Sequence, residues 1–470
     1  MNKVMNKVKN MNVSRRAFLQ RACVLSVAGS ATPWMLNLAA MAEAAAATAS
    51  DYKAIVCVFL YGGNDYGNTL IPYDAGNYNA YYDLRPTLAY SRSSLGSTIL
   101  APVAAPRDAA GFNRQYAMAP ELAPLMPLFK AGKMGVILNV GPLVQPTSKL
   151  QYTSKSVPLP PKLFSHNDQQ SIWQSSAPEG ATSGWGGRIG DLFEAGNGNA
   201  TFTCVNVSGN AVFLSGKTAV QYQVSSSGSV PFSALQQPLF GSSSASNALQ
   251  TLITQPRANL LEQEYNRITK RSIDAHGVLS AALANGPAMN TLFPVGNSLA
   301  SQLQMVAKMI SNAGALGAKR QVFFVSMGGF DTHDGLSTVH PGLLKSVADA
   351  MAAFYAATVE LGVANQVTSF TASDFGRTLT VNSDGSDHGW GSMHFVMGGA
   401  VQGQRYYGTP PAVANNGPDD VGQGRLLPTT SVDQYAATLG KWMGLSDSSV
   451  LGLLPNLANY NPSARNLGFV

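Results

Sequence analysis

The chain has 470 residues, 45% of them hydrophobic and only 12% charged, which gives ample apolar material for a large core and about half the usual charged fraction. Its formal net charge of +6 arises at the N-terminus: six of the 31 Lys and Arg residues precede the first acidic residue, Glu43, and the remainder carries 25 basic and 25 acidic groups. A near-neutral body argues against charge-driven nucleic-acid binding, and three cysteines in this length exclude a disulfide scaffold.

In chain order, Lys3, Lys7 and Lys9 make a basic start, Arg15-Arg16-Ala17-Phe18-Leu19 follows, and residues 22–42 are weakly apolar with small residues around Ala42. This layout predicts a twin-arginine export signal over 1–42, the twin-arginine translocase as a partner, and a periplasmic or secreted unit over 43–470. Gly29, Pro33 and Asn37 interrupt the apolar stretch too often for a lipid-spanning helix. No later segment is long and apolar enough either, so no integral span is expected in the mature chain.

Apolar runs at 54–60, 134–140, 202–207, 322–326, 367–372 and 395–397 lack polar alternation and predict buried parallel strands covered on both faces. Helical spacing falls between them at 120–131, 187–194, 258–284, 297–313, 341–361 and 432–443. The alternation predicts an α/β fold, a three-layer sandwich on a largely parallel central sheet, as a single domain with a Ser/Gly-rich irregular insertion at about 216–250. Cys57 and Cys204 each lie within an apolar run. Two buried thiols are the favoured state, with one disulfide the alternative.

Chemistry collects just after the runs, where ligands gather in open α/β sheets. Tyr61-Gly62-Gly63-Asn64-Asp65 follows the first, and Gly328-Gly329-Phe330-Asp331-Thr332-His333 the fourth. Asp331 and His333 are two apart, so in an extended segment they point the same way. Ser373-Asp374-Phe375-Gly376-Arg377 follows the fifth run, then Ser386-Asp387-His388-Gly389-Trp390 and His394. Ser165 precedes His166 at the start of a helix carrying Ile172 and Trp173. It is read either as a helix cap with Asp168 or as a nucleophile in a helix dipole field.

Together with Gly184-Trp185, these stretches resemble the bacterial family called domain of unknown function 1501, over nearly all of the mature chain. That family is similar in sequence logic to the alkaline phosphatase and sulfatase superfamily, which implies an alkaline-phosphatase-like fold with one or two divalent metals at the sheet's carboxyl edge. The resemblance implies Asp65, Asp331, His333, Asp374 and His388 as metal ligands and Ser165 as nucleophile, with His166 beside it; His394, near a predicted strand end, is a further candidate ligand. Arg377 would clamp the anionic group and Asp387 would orient His388. Three departures stand out: the short Asp331 to His333 spacing, Phe375 where a His follows the Asp, and the late position of Ser165. The implied activity is metal-dependent hydrolysis of phosphate or sulfate esters, with Zn, Mn, Mg or Ca as cofactor and a small anionic ester or envelope glycan as substrate. The alternative is a noncatalytic binding or assembly protein of the same fold.

Overall fold

The computed structural model describes residues 51–470, so the export signal expected over 1–42 lies outside the described residues. A nine-stranded sheet is built from β1 (Lys53–Leu60), β4 (Met134–Gly141), β5 (Cys204–Asn206), β6 (Tyr222–Gln223), β7 (Arg320–Met327), β8 (Val367–Ser373), β9 (Ser392–Gly398), β10 (Tyr406–Tyr407) and β11 (Thr430–Ser431). The order is β10-β4-β9-β8-β1-β7-β5-β6, with β11 also on β4; β2 (Leu70–Pro72) and β3 (Tyr116–Met118) form a separate pair. The helices are α1 (Ala75–Leu84), α2 (Met126–Lys130), α3 (Lys149–Ser154), α4 (His166–Ser175), α5 (Trp185–Phe193), α6 (Ser243–Thr254), α7 (Leu260–Asn285), α8 (Ser298–Ser311), α9 (Leu336–Glu360), α10 (Val432–Met443) and α11 (Asp447–Leu453).

Strand β1 shows why its run has no polar alternation. Ala54, Val56, Val58 and Leu60 face one core with Leu303 and Val306 of α8 and Met351 and Phe354 of α9. Ile55, Cys57 and Phe59 face a second core with Trp173, Trp185 and Ile189 of α4 and α5 and Tyr435 of α10. A strand buried on both faces gains from an apolar side chain at every position, about 1.5–3 kcal/mol for each large one. Cys57 and Cys204 are free and buried, and burial pushes both thiols up.

All six expected strands form, with one correction: β9 runs antiparallel to both β4 and β8. Residues 374–391 contain no helix that could serve as a crossover, so the chain turns back beside β8 instead of re-entering parallel to it. Helix α9 begins at Leu336, five residues ahead of the expected start, and holds Pro341 in its interior; burial of Leu336 and His340 outweighs the proline's preference for a helix start. Within 216–250 lie β6 and the start of α6, and α6 buries none of its residues. Among the described residues no helix is long and apolar enough to cross a membrane.

Candidate metal centre

Strands β1, β7 and β8 are parallel and end at one edge of the sheet. Because β9 is reversed, it starts at that edge, which brings 386–391 beside 61–65, 328–333 and 374–377. The glycines let these backbones touch. Gly62 has φ +116, and a Cβ there would lie 2.3 Å from the Asp331 nitrogen; one on Gly376 would lie 2.0 Å from the Gly391 oxygen.

Three imidazoles meet at this edge, each held from behind at Nδ1. His166 Nδ1 is 2.7 Å from Asp374 Oδ2, His333 Nδ1 is 3.2 Å from Asp387 Oδ1, and His388 Nδ1 is 2.8 Å from the Phe164 carbonyl. A carboxylate and a carbonyl only accept, so each ring donates through Nδ1 and, when neutral, presents a lone pair at Nε2. Asp331 completes the group: its Oδ2 is 3.4 Å from His166 Nε2, and its Oδ1 is 3.2 Å from His333 Nε2 and 3.4 Å from His388 Nε2. His166 and Gln170 lie one turn apart on α4, and Gln170 Nε2 also donates to Asp374 Oδ2 at 2.7 Å.

The electrostatics are set by these contacts. The hydrogen bond to Asp374 raises the His166 pKa, whereas burial lowers that of His388. Burial works against ionisation of Asp331, but the Arg377 guanidinium, donating at 2.9 Å, outweighs it and holds the carboxyl below its ordinary range.

His166, Asp331 and His388 offer ligand atoms within 4.8 Å of one another, and His166 Nε2 is buried without a hydrogen-bond partner. His333 Nε2 stands 2.8 Å from His388 Nε2. Nitrogen and oxygen ligands at ~2.0–2.2 Å around a tetrahedral ion are separated by roughly 3.3–3.6 Å. The Asp331 contacts to His166 and His388, both 3.4 Å, match that spacing, so His166, Asp331 and His388 could hold a divalent metal, whereas the 2.8 Å between His333 and His388 is too short for both to be ligands as they stand. Backing of each ring by an acceptor is how metal-ligating histidines are oriented.

The model of the family described as "Protein of unknown function (DUF1501)" matches residues 52–454. The chain belongs to that family. No curated protein matches it. Solved structures similar to this DUF1501 protein include Ps i-CgsB in complex with k-i-k-neocarrahexaose, at 10% identity and TM-score 0.35 over 88% of this chain and 78% of that one. Another is the PsFucS1 sulfatase from Pseudoalteromonas sp., at 11% identity and TM-score 0.34 over 93% and 76%. A third is a mutant of the alkaline phosphatase PafA, at 10% identity and TM-score 0.28 over 70% and 64%.

Several residues of the DUF1501 chain stand in other places than their sequence roles implied. Asp65 is fully buried, paired with Arg85 at 2.7 Å and accepting from Ser386 Oγ at 2.7 Å and the Asn68 amide at 2.8 Å, so its carboxylate is engaged in a buried ion pair and stands outside the group of His166, Asp331 and His388. His394 sits inside β9 between the Trp173 and Tyr435 rings, with its Nδ1 3.3 Å from Thr371 Oγ1. Its position within the strand, beyond the edge, removes it from the cluster. Ser165 Oγ donates to Asp168 at 3.1 Å and to no group of the centre. Arg377 is fully buried and spends its donors on Gly62, Ser386 and Asp331, which leaves it orienting Asp331 with no free fork for an anion. Asp387 backs His333 instead of His388, and Asp374 stands behind His166. His166 itself belongs with the ligand group.

Sequence reasoning missed Gln170, Arg85 and the Phe164 carbonyl. The His166 and Gln170 spacing carried a signal, since residues four apart on a helix share a face. A backbone carbonyl leaves none.

Proposed function

We propose that this DUF1501 protein is an exported metal-dependent hydrolase of phosphate or sulfate esters, built on His166, Asp331 and His388 with His333 beside them. The carrying observation is that three rings are fixed through Nδ1 so that their Nε2 atoms converge on one carboxylate. An imidazole-rich set favours Zn over Mn, Mg or Ca, which prefer oxygen-rich sites. A divalent ion held there would supply Lewis acidity toward an ester oxygen.

The chain's own residues divide the remaining work. Asp374 and Gln170 fix the His166 ring, and Arg377 fixes Asp331. His333 is about two-fifths exposed, 42%, and faces incoming substrate with Asp387 behind it. The engagement of Ser165 with Asp168 favours water over serine as the attacking group. A small anionic ester, free or on an envelope glycan, is the substrate class this reading carries.

The test is metal content by mass spectrometry of mature protein purified without chelator, wild type beside His388→Ala, followed by aryl phosphate monoester, phosphodiester and sulfate substrates. About one ion per chain, lost in the variant and required for turnover, supports the reading. Absence of metal in both proteins after supplementation with Zn and Mn overturns it in favour of a noncatalytic binding role.

A further inference from the structure

The segment before α4 carries both a ligand and the support of another ligand. Lys162 and Phe164 have φ of +48 and +72, a left-handed conformation that bulky side chains rarely adopt. The turn delivers His166 to the centre and aims the Phe164 carbonyl at His388 Nδ1, 2.8 Å away. Nothing in the turn's own sequence, Pro161-Lys162-Leu163-Phe164-Ser165, asks for that conformation: it contains no glycine or asparagine.

Locally the turn is held by the Ser165 amide on the Lys162 carbonyl, at 3.3 Å, and by the Lys162–Asp168 ion pair, at 3.4 Å; the groups that grip Phe164 lie far along the chain. The Arg425 guanidinium sits 4.8 Å over the Phe164 ring, while its Nε donates to the His388 carbonyl at 2.8 Å. Arg425 is itself tied into a tight turn, with its amide on the Gly422 carbonyl and its own carbonyl accepting from Val421 at 3.0 Å. Phe164 therefore receives the Arg425 cation on its ring and the His388 proton on its carbonyl, and Arg425 grips the backbone of the same histidine. The three groups close a loop of contacts in which moving any one releases the others.

We propose, resting on the metal-dependent hydrolase reading, that Arg425 is a positioning residue for the metal centre. It clamps the strained Phe164 turn against His388, so that His388 stays in the Nδ1-protonated tautomer and its Nε2 stays turned to Asp331. A planar guanidinium is required, because one face stacks on the ring while the edge donates to the carbonyl; an ammonium does only one of these at a time.

Two measurements on the full mature protein test it. The first is Zn affinity by competition with a chromogenic chelator for wild type, Arg425→Gln, Arg425→Lys and Phe164→Leu. The second is the His388 tautomer in metal-free protein, read from the ring nitrogen shifts of histidine-labelled samples. The expected result is a loss of about 10–100-fold in Zn affinity for Arg425→Gln, a smaller loss for Arg425→Lys and Phe164→Leu, and a mixed His388 tautomer in Arg425→Gln with unchanged far-ultraviolet dichroism. Unchanged affinity and a single His388 tautomer in Arg425→Gln overturn the proposal. A wild type that binds no Zn overturns the metal reading, and the tautomer measurement then still decides whether Arg425 fixes His388. If Arg425→Gln fails to fold, Phe164→Leu, which keeps the bulk and loses the π face, carries the same two readouts.

Discussion

The Nε2 atoms of His333 and His388 stand 2.8 Å apart, and both rings donate their Nδ1 protons elsewhere, to Asp387 and to the Phe164 carbonyl. Two neutral rings so arranged point lone pairs at each other. The contact is unfavourable unless positive charge is shared between them, and burial works against protonating His388.

Metal binding should therefore stabilise the fold. At an ion concentration about 100 times Kd, linkage predicts about 2.7 kcal/mol. Thermal melts with added Zn should run a few degrees above melts with chelator, and His388→Gln should abolish the difference. Coincident wild-type melts under the two conditions would count against occupancy of the site.

Replacing Asp374 by Asn separates orientation from ligation. Asp374 Oδ2 accepts from both His166 Nδ1 and Gln170 Nε2, and an amide cannot serve both donors with the strength of a carboxylate. Asp374→Asn should weaken metal binding about 10–100-fold without abolishing it, whereas His166→Ala should abolish it. Chelator competition on the two variants checks this order, and equal loss in both would place Asp374 among the direct ligands.

Asp65 gives the opposite pattern. Its partner Arg85 is fully buried, and Asp65→Asn leaves that guanidinium without its counter-charge. Breaking a buried pair on one side costs about 3–5 kcal/mol. Denaturant unfolding of the variant should show a loss of that order, while the surviving folded protein keeps the wild-type metal stoichiometry. Loss of metal at unchanged stability would instead restore Asp65 as a ligand.

The central strands and most long helices were legible because full burial on two faces favours apolar runs, unbroken in 54–60 and 322–325. The reversed direction of β9 was not legible, since a buried strand has the same composition in either direction. Residue types in the site were readable from the turns directly after the strands: Asp331, His333, Asp374 and His388 all reach the common edge. Their assignments were less so. Whether an Asp is a ligand, a backing acceptor or half of an ion pair depends on which donor lies next to it, and Arg85 and Gln170 meet Asp65 and Asp374 only after folding.

His394 supplies a pH test that also bears on its exclusion from the centre. It is fully buried, and burial lowers its pKa from 6.5 to about 3. The folded chain therefore resists protonation that the unfolded chain accepts. Stability from this group is complete above pH 6.5 and is lost progressively as pH falls from 6.5 toward 3. Between pH 7 and 5 the loss is about 2 kcal/mol at 1.36 kcal/mol per pH unit. His394→Phe places an apolar ring of similar size between Trp173 and Tyr435, and Thr371 Oγ1 still accepts from the Phe395 amide at 2.9 Å. Urea unfolding of chelator-treated protein should then show a stability difference, variant minus wild type, that grows by about 2 kcal/mol on going from pH 7 to 5. Parallel pH profiles for the two proteins would mean that His394 is not held neutral by burial. A parallel loss of Zn binding in the variant would return it to the ligand set.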